Sequence, residues 1–325
     1  MRRGVGFVSV LVAALSAPPF AAAQAAEAIG TRAQGMAGAF VGVADDASAV
    51  YWNPGGLAKG AYFSLVLDGN RSRAVPDGEL TGAKRSGSLL ALSTPALGLS
   101  YYRVQTSTVS SLPTFSRSAF QLDTLITHHL GATLVQSLTD GITVGTTVKV
   151  VRGTAGSGLV DRPDREEILD HAELIGRSGS KIDLDFGIMA TSNVGRVGLV
   201  VRNVSEPSFE TDSGVDLELP RQIRGGASIY LLQTWKLAAD IDFTRQAGPF
   251  GDLREIALGT EGQMTRRFAA RSGFRFNAAG DGRRAPAVSV GASFAAFGSV
   301  LVDGQLTTGS DKAFRGWGIA GRVVF

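Results

Sequence analysis

From Gly60 to Phe325 the sequence repeats one theme: runs of about ten residues in which apolar and polar side chains alternate, each closed by turn residues. A period of two is the mark of a strand with unlike faces. In the run from Trp235 to Thr244, Trp235, Leu237, Ala239, Ile241 and Phe243 fall on one face, while Lys236, Asp240, Asp242 and Thr244 fall on the other. Arg266 to Asn277 sets Phe268, Ala270, Phe274 and Phe276 opposite Arg267, Arg271 and Arg275. Ile142 to Val150 and Lys181 to Ala190 follow the same rule. Counting such runs predicts about fourteen strands, an even number within the range of transmembrane barrels.

The connections between runs alternate in length. Thr94-Pro95, Thr139-Asp140-Gly141, Ser192-Asn193-Val194, Leu232-Gln233 and Phe297-Gly298 are tight turns, and the links between them are longer, up to Gly153–Ser180. Short turns at one end and longer loops at the other are the pattern of outer-membrane barrels, not of a water-soluble sandwich. In lipid every backbone polar group needs a partner, so such a sheet must close. Its apolar face then meets lipid and its polar face lines the lumen. That assignment puts Asp240, Asp242, Glu255, Glu261, Arg267, Arg271 and Arg275 inside, on three adjacent strands. Opposite charges on neighbouring strands can pair. The cluster then either balances charge in the wall or forms a polar track or dock.

The N-terminus agrees with export. Arg2 and Arg3 precede an apolar run from Val5 to Leu15, and Ala21-Ala22-Ala23-Gln24-Ala25 supplies an A-x-A site. Residues 1–25 therefore read as a signal peptide cut after Ala23 or Ala25. The run is too short for a spanning helix. The formal charge of +3 falls to near neutral once Arg2 and Arg3 leave, which gives no basis for a nucleic-acid partner. The chain has no cysteine, hence no thiolate metal site, and nothing in it calls for a cofactor. Its 42 glycines are spread along the chain, as suits tight turns and a crowded barrel interior.

Between signal and barrel lies residues 26–59, too short for a domain and too patterned for a linker. Gly35-Met36-Ala37-Gly38-Ala39 permits close backbone approach. Asp45-Asp46-Ala47-Ser48-Ala49 reads as a helix start capped by an aspartate. Asn53-Pro54-Gly55-Gly56 stops that helix. The stretch reads as turn, short helix, turn, strand, folded back as a plug in a barrel of residues 60–325. Trp52 is a packing anchor within it.

This stretch resembles the N-terminal signature of the FadL-like (long-chain fatty acid transporter) superfamily of outer-membrane barrels. The resemblance rests on Gly30, Arg32, Gly35-Met36, Gly38-Ala39-Phe40, Ala44 to Ala49 and Asn53-Pro54-Gly55-Gly56-Leu57-Ala58, with Gly55 where that superfamily usually has alanine. It implies a fourteen-stranded barrel with an N-terminal hatch in the lumen, and it marks Gly35, Met36, Asp45, Asp46, Asn53, Pro54 and Gly55 as the hatch motif. Asp183 to Gly187, Gly198 to Val204 and Ala269 to Phe274 resemble the shorter PorV-like branch. The resemblance implies either passive uptake of small hydrophobic molecules past the hatch, or binding of an exported protein in secretion and envelope assembly. The last strand, Trp317 to Phe325, resembles the signal through which the barrel assembly machinery recognises its clients.

Other candidates read as structural. His128-His129 on a strand face opposite sides and make a poor metal pair. Tyr101-Tyr102 and Trp235 suit the aromatic girdles. Arg162–Arg177 carries Ile168, Leu169, Ala172, Leu174 and Ile175 at helical spacing, so an amphipathic helix over the barrel mouth and a solvated loop are both open readings. There is no G-x-S-x-G, Walker or H-E-x-x-H motif, which predicts a protein without enzyme activity.

Overall fold

A computed structural model describes residues 29–76, 81–111, 119–161, 165–171, 176–231, 234–280, 282–309 and 314–325. The predicted signal peptide, residues 1–25, lies outside them, as do Ala172, Leu174 and Ile175.

Strands β1 (Ser64–Ala74), β2 (Gly82–Ser93), β3 (Leu97–Ser111), β4 (Ala119–Thr139), β5 (Ile142–Asp161), β6 (Arg177–Thr191) and β7 (Gly195–Arg202) pair in chain order. A small hairpin, β8 (Ser208–Glu210) with β9 (Asp216–Glu218), stands apart from the ring. The wall resumes with β10 (Gln222–Leu231), β11 (Trp235–Asp242), β12 (Glu255–Gln263), β13 (Phe268–Asn277), β14 (Ala287–Phe297), β15 (Val300–Gly309) and β16 (Phe314–Val324). β16 returns to pair antiparallel with β1, so fourteen strands close a barrel, as the period and turn count predict. Closure leaves no unpaired edge, the condition for a sheet to sit in hydrocarbon.

The alternation sorts as physics requires. Leu130 and Leu134 of β4, Val148 and Val150 of β5, Val290 of β14 and Ile319 of β16 project outward as exposed apolar side chains. Inward positions hold buried Lys149, Asp183, Arg224, Asp240, Arg271 and Asp303. The connections are short turns at one end of the barrel and longer links at the other, the pattern of transmembrane barrels.

The wall is uneven in height. β4 and β5 run for 21 and 20 residues, against 8 for β7 and 8 for β11. A bilayer needs about 9–11 residues per tilted strand, so β4 and β5 rise well above it on one side. Phe209 of the β8–β9 hairpin packs inside this crest with Leu125, Val151 and Ala155.

A helix α3 (Arg165–His171) also packs on the crest, but on its outer surface. Ala83 faces the lumen, whereas its neighbours Gly82 and Lys84 meet α3: the Lys84 ammonium donates to the Leu169 carbonyl at 2.8 Å. Successive residues of a strand point to opposite faces, so helix and lumen lie on opposite sides of the sheet. Of the two readings open for Arg162–Arg177, the helix is the one present, over Arg165–His171, and it lies on the outer wall and not over the mouth. Buried Val109 and Leu122 on outward faces of β3 and β4 supply the apolar partners for Ile168 and Leu169.

The lumen is filled by residues 29–59. They form helix α1 (Thr31–Gly35), helix α2 (Ala49–Trp52) and a 3-10 helix (Pro54–Lys59). Sequence reasoning expected one helix, and the other two turns are too short for a periodic signal. Trp52, fully buried, is the anchor: Phe40 and Tyr51 meet its ring edge-on at 5.9 and 5.7 Å, and Tyr51 meets Tyr102 of β3 at 5.5 Å. Such pairs stabilise by about 0.5–1.5 kcal/mol beyond their area.

Candidate functional site: the occupied lumen and its two chambers

The segment is held to the wall by charge. Arg32 of α1 donates from Nε to Glu261 Oε2 at 2.8 Å and from a terminal nitrogen to Oε1 at 2.6 Å. Its other terminal nitrogen reaches Asp45 at 2.5 Å and Asp46 at 2.9 Å. A planar guanidinium suits this two-point contact, which an ammonium cannot make. Arg271 joins Glu261 at 2.6 Å and Asp303 of β15 at 3.3 Å. Arg322 of β16 contacts Asp303 and reaches Asp46 at 3.4 Å. Lys236 of β11 closes on Asp45 at 2.8 Å.

A second knot centres on Arg224 of β10, which lies within 3.3 Å of Asp240, 3.4 Å of Asp242 and 3.3 Å of Glu255. It also donates to the Gly38 carbonyl at 3.1 Å. Asp240 accepts the Phe40 and Val41 amides, both at 2.9 Å. These amides have no strand or helix partner, so the carboxylate completes their hydrogen bonding. Asp68 of β1 does the same for Gly30 and Thr31, where Gly30 takes a left-handed φ of 91°.

The motif residues divide by role. Asp45 and Asp46 join the ion network, but neither caps α2. Asp46 Oδ1 instead accepts from the Ser48 amide and hydroxyl at 2.9 and 2.5 Å, which uses the carboxylate one turn early. Asn53 accepts from the Gly55 amide at 3.1 Å, capping the 3-10 helix, and donates to the Val41 and Ile188 carbonyls at 3.2 and 3.0 Å. The Gly55 carbonyl accepts from the Thr143 hydroxyl at 2.7 Å. Pro54 and Met36 lie against inward glycines of the wall: a Cβ at Gly145 would stand 2.3 Å from the Pro54 carbonyl carbon, and one at Gly273 would stand 2.3 Å from that of Met36. A Cβ at Gly35 would stand 3.3 Å from Gly291 Cα, so there too backbone lies against backbone.

Of the lumen cluster, Asp240, Asp242, Glu255, Glu261, Arg271 and Arg275 face inward. Arg267 does not sit on a strand as expected. Thr265 Oγ1 accepts the Arg267 and Phe268 amides at 3.2 and 3.1 Å, bending the chain into a turn and leaving Arg267 exposed at its rim. The cluster expected from the sequence is confined to three strands and leaves out Arg224, Asp303 and Arg322, although Arg322 reads on the lumen face of the last strand, opposite Trp317, Ile319 and Val323. Each sits at an inward parity position beside apolar outward neighbours, a signal that strand-by-strand reading could have used. Lys149, bound to Asp185 at 2.7 Å and Asp183 at 3.1 Å, was missed as well. His129 is buried and stacks on Tyr102 at 4.2 Å, while His128 faces out, the split expected for neighbours on a strand.

Two chambers flank the filled lumen. The outer one, on the loop side, has a volume of about 150 Å³ and rests on Gln34 of α1. Ala74, Ala83, Pro249, Phe250, Leu253 and Phe314 wall it, with Arg85, Arg275, Arg283 and Glu255 among them. The inner one, near the short turns, has a volume of about 360 Å³ and lies against the Arg32–Glu261 network.

Comparison with curated proteins returns no match. A family model described as "F plasmid transfer operon, TraF, protein" matches residues 100–242, less than half the chain. Among solved structures, the chain resembles the CymD monoaromatic hydrocarbon channel, with TM-score 0.63, 14% identity, and 91% of this chain and 97% of that one covered. It resembles a Pseudomonas aeruginosa FadL homologue with TM-score 0.65 and 11% identity, covering 91% and 98%. For the Pseudomonas putida toluene transporter TodX the values are 0.61 and 12%, covering 93% and 99%. At these identities the likeness is one of fold: the chain shares the closed β-barrel architecture of these structures.

Proposed function

We propose that this barrel is a passive pathway for small hydrophobic molecules across the outer membrane, with residues 26–59 as the hatch that gates it. The observation that carries the reading is the outer chamber: apolar-walled, about 150 Å³, and floored by the hatch itself. An apolar cavity of about that size takes a single aromatic ring. CymD and TodX, which share the fold, are described as a monoaromatic hydrocarbon channel and a toluene transporter. The ion pairs between hatch and wall keep the lumen closed until the hatch shifts. The test is calorimetric titration of toluene into the purified full chain, beside an Ala287→Trp variant that fills the chamber. Toluene should bind the native protein and not the filled variant. Equal binding to both, or none to either, would remove the reading.

One observation favours a second reading, a scaffold for an exported protein. The crest of β4 and β5, with its hairpin and α3, rises beyond the bilayer, and the TraF-type match spans it. Cross-linking from Leu159, 62% exposed near the end of β5, would capture a partner on this crest and not in the chamber. Under either reading the outward apolar face is in contact with outer-membrane lipid. The final strand, with Phe325 exposed at its end, engages the barrel assembly machinery during insertion.

A further inference from the structure

On four neighbouring strands the outward apolar face stops along one row. Tyr101 of β3 lies directly opposite Leu130 of β4, Leu130 opposite Val150 of β5, and Val150 opposite Ile182 of β6. All four side chains are exposed. From this row toward the short turns, β4 shows Leu130, Leu134 and Leu138 outward, and β5 shows Val150, Val148 and Ile142. Residues 130–138 and 142–150 each span nine positions, about the length a tilted strand needs to cross hydrocarbon. The row therefore marks the border of the apolar band, where a tyrosine such as Tyr101 belongs.

The next outward row is cationic. Arg103 lies opposite His128, and His128 opposite Arg152. Residues two apart on a strand share a face, so these three stand one step above Tyr101, Leu130 and Val150 on the outer wall. The Tyr101 hydroxyl meets His128 Nδ1 at 2.8 Å and ties the two rows together. A hydroxyl that donates there leaves the imidazole proton on Nε2, a further donor between the arginines. Arg103 donates to Gln105 at 2.9 Å. Among the described residues no carboxylate pairs with Arg103 or Arg152, whereas Arg73 and Arg221 on the loop side meet Glu166 and Glu206, each at 3.1 Å.

These cations face away from the lumen, so they serve nothing that passes through it. Arginines at a membrane border reach into the headgroup layer, and clustered ones attract anionic lipid. Neighbouring strands lie about 4.8 Å apart, so Arg103 and Arg152 stand about 10 Å apart with His128 between, a span that two arginine side chains close on one phosphate. A guanidinium pairs with phosphate through two N–H donors. A soluble anion has no use for the apolar row beneath, but a lipid does. Helix α3 packs on the same outer wall farther from the apolar band, against Val109 and Leu122. The patch thus lies between helix and hydrocarbon.

Resting on the reading of the barrel as membrane-spanning, we propose that Arg103, His128 and Arg152 dock the phosphate-bearing headgroup of a lipid in the leaflet on the loop side. Its acyl chains lie along Tyr101, Leu130, Val150 and Ile182.

The test is native mass spectrometry of the full chain in maltoside micelles, titrated with dioleoyl phosphatidic acid, with dioleoylglycerol, which has the same chains and no phosphate, and with inorganic phosphate. Phosphatidic acid should bind at least about tenfold more tightly than either of the others. Arg103→Gln and Arg152→Gln should each weaken it about tenfold, the scale of one lost charged hydrogen bond. Arg177→Gln removes an exposed arginine held by Glu210 at 3.3 Å, away from this row, and should leave the affinity within about twofold. Folding of each variant is read from heat-modifiable gel mobility. Unchanged phosphatidic acid binding in both row variants overturns the proposal. So does equal binding of dioleoylglycerol, which would mean apolar adsorption alone, or equal binding of inorganic phosphate, which would mean a site for a free anion. The membrane-spanning reading is tested separately by flotation of the reconstituted chain with phosphatidylcholine vesicles. A chain that floats but fails the titration overturns this proposal alone, and one that does not float removes both.

Discussion

Arg32 and Glu261 stand 229 positions apart in sequence and meet through two parallel hydrogen bonds of 2.8 and 2.6 Å in the barrel interior. The pair joins the first helical turn of the hatch to the middle of the wall. It also anchors the network that runs on through Arg271 and Asp303 to Arg322.

Without Arg32, Glu261 keeps Arg271 and Asp45 keeps Lys236, so the loss should fall below the about 3–5 kcal/mol of a buried charge left alone. Arg32→Ala is therefore expected to lower the thermal midpoint of the purified protein and raise its conductance in planar bilayers. Arg32→Lys keeps the charge without the two-point contact and should fall between. Combining Arg32→Ala with Glu261→Gln should cost less than the two single changes added together, since they break the same contact. Strict additivity would mean that the pair does not hold the hatch.

The glycine seats give a steric test. A Cβ at Gly145 or Gly273 would stand 2.3 Å from hatch backbone, too close for any side-chain adjustment to relieve. Gly145→Val and Gly273→Val should each displace the hatch while the sheet still closes, because valine suits a strand. Limited proteolysis of residues 30–59 should speed up, with heat-modifiable mobility retained. A variant whose hatch stays protected would show that the wall yields instead.

Much of this was legible in the sequence because strands write their two faces with period two. The inward charges of β11 to β13 and the closing strand came from that rule alone. What stayed hidden was partnership across distance. Nothing local in Arg32 names Glu261, and nothing local in Asp240 says that it will accept the Phe40 and Val41 amides. The glycines of β5 and β13 read as a crowded interior, but only the fold shows that hatch backbone is what crowds them. Neither aspartate of Asp45-Asp46 caps α2 as the helix-start pattern suggests, because Asp46 is held by the Ser48 amide and hydroxyl and Asp45 by Arg32 and Lys236. For α3, amphipathicity marks an apolar face but neither decides between helix and loop nor names the side of the wall that supplies its partner.

The position of α3 is itself testable. Ile168 and Leu169 are buried against the outward face of β3 and β4, and Glu166 meets Arg73 of β1 at 3.1 Å. Truncating both apolar side chains should cost about 2–5 kcal/mol each at that contact and free the helix. Protease cleavage within residues 165–171 should rise, and bilayer conductance should stay at the native level. A rise in conductance would place the helix over the lumen after all.

Acid should open the hatch late. Burial alone would raise the Asp45 carboxyl, but Arg32 at 2.5 Å and Lys236 at 2.8 Å hold it well below the usual carboxylate range. A group whose value is depressed by folding stabilises the folded state fully above its unfolded value, about 3.9 for aspartate, and loses that contribution as pH falls toward the folded one. Conductance should therefore be the same at pH 7 and pH 5 and rise only below about pH 4. Asp45→Asn removes the charge at every pH, so this variant should already leak at pH 7 and respond less steeply to acid. A native protein that opens between pH 7 and 5, or an Asp45→Asn variant as tight as the native chain, would show that the hatch is locked by other groups.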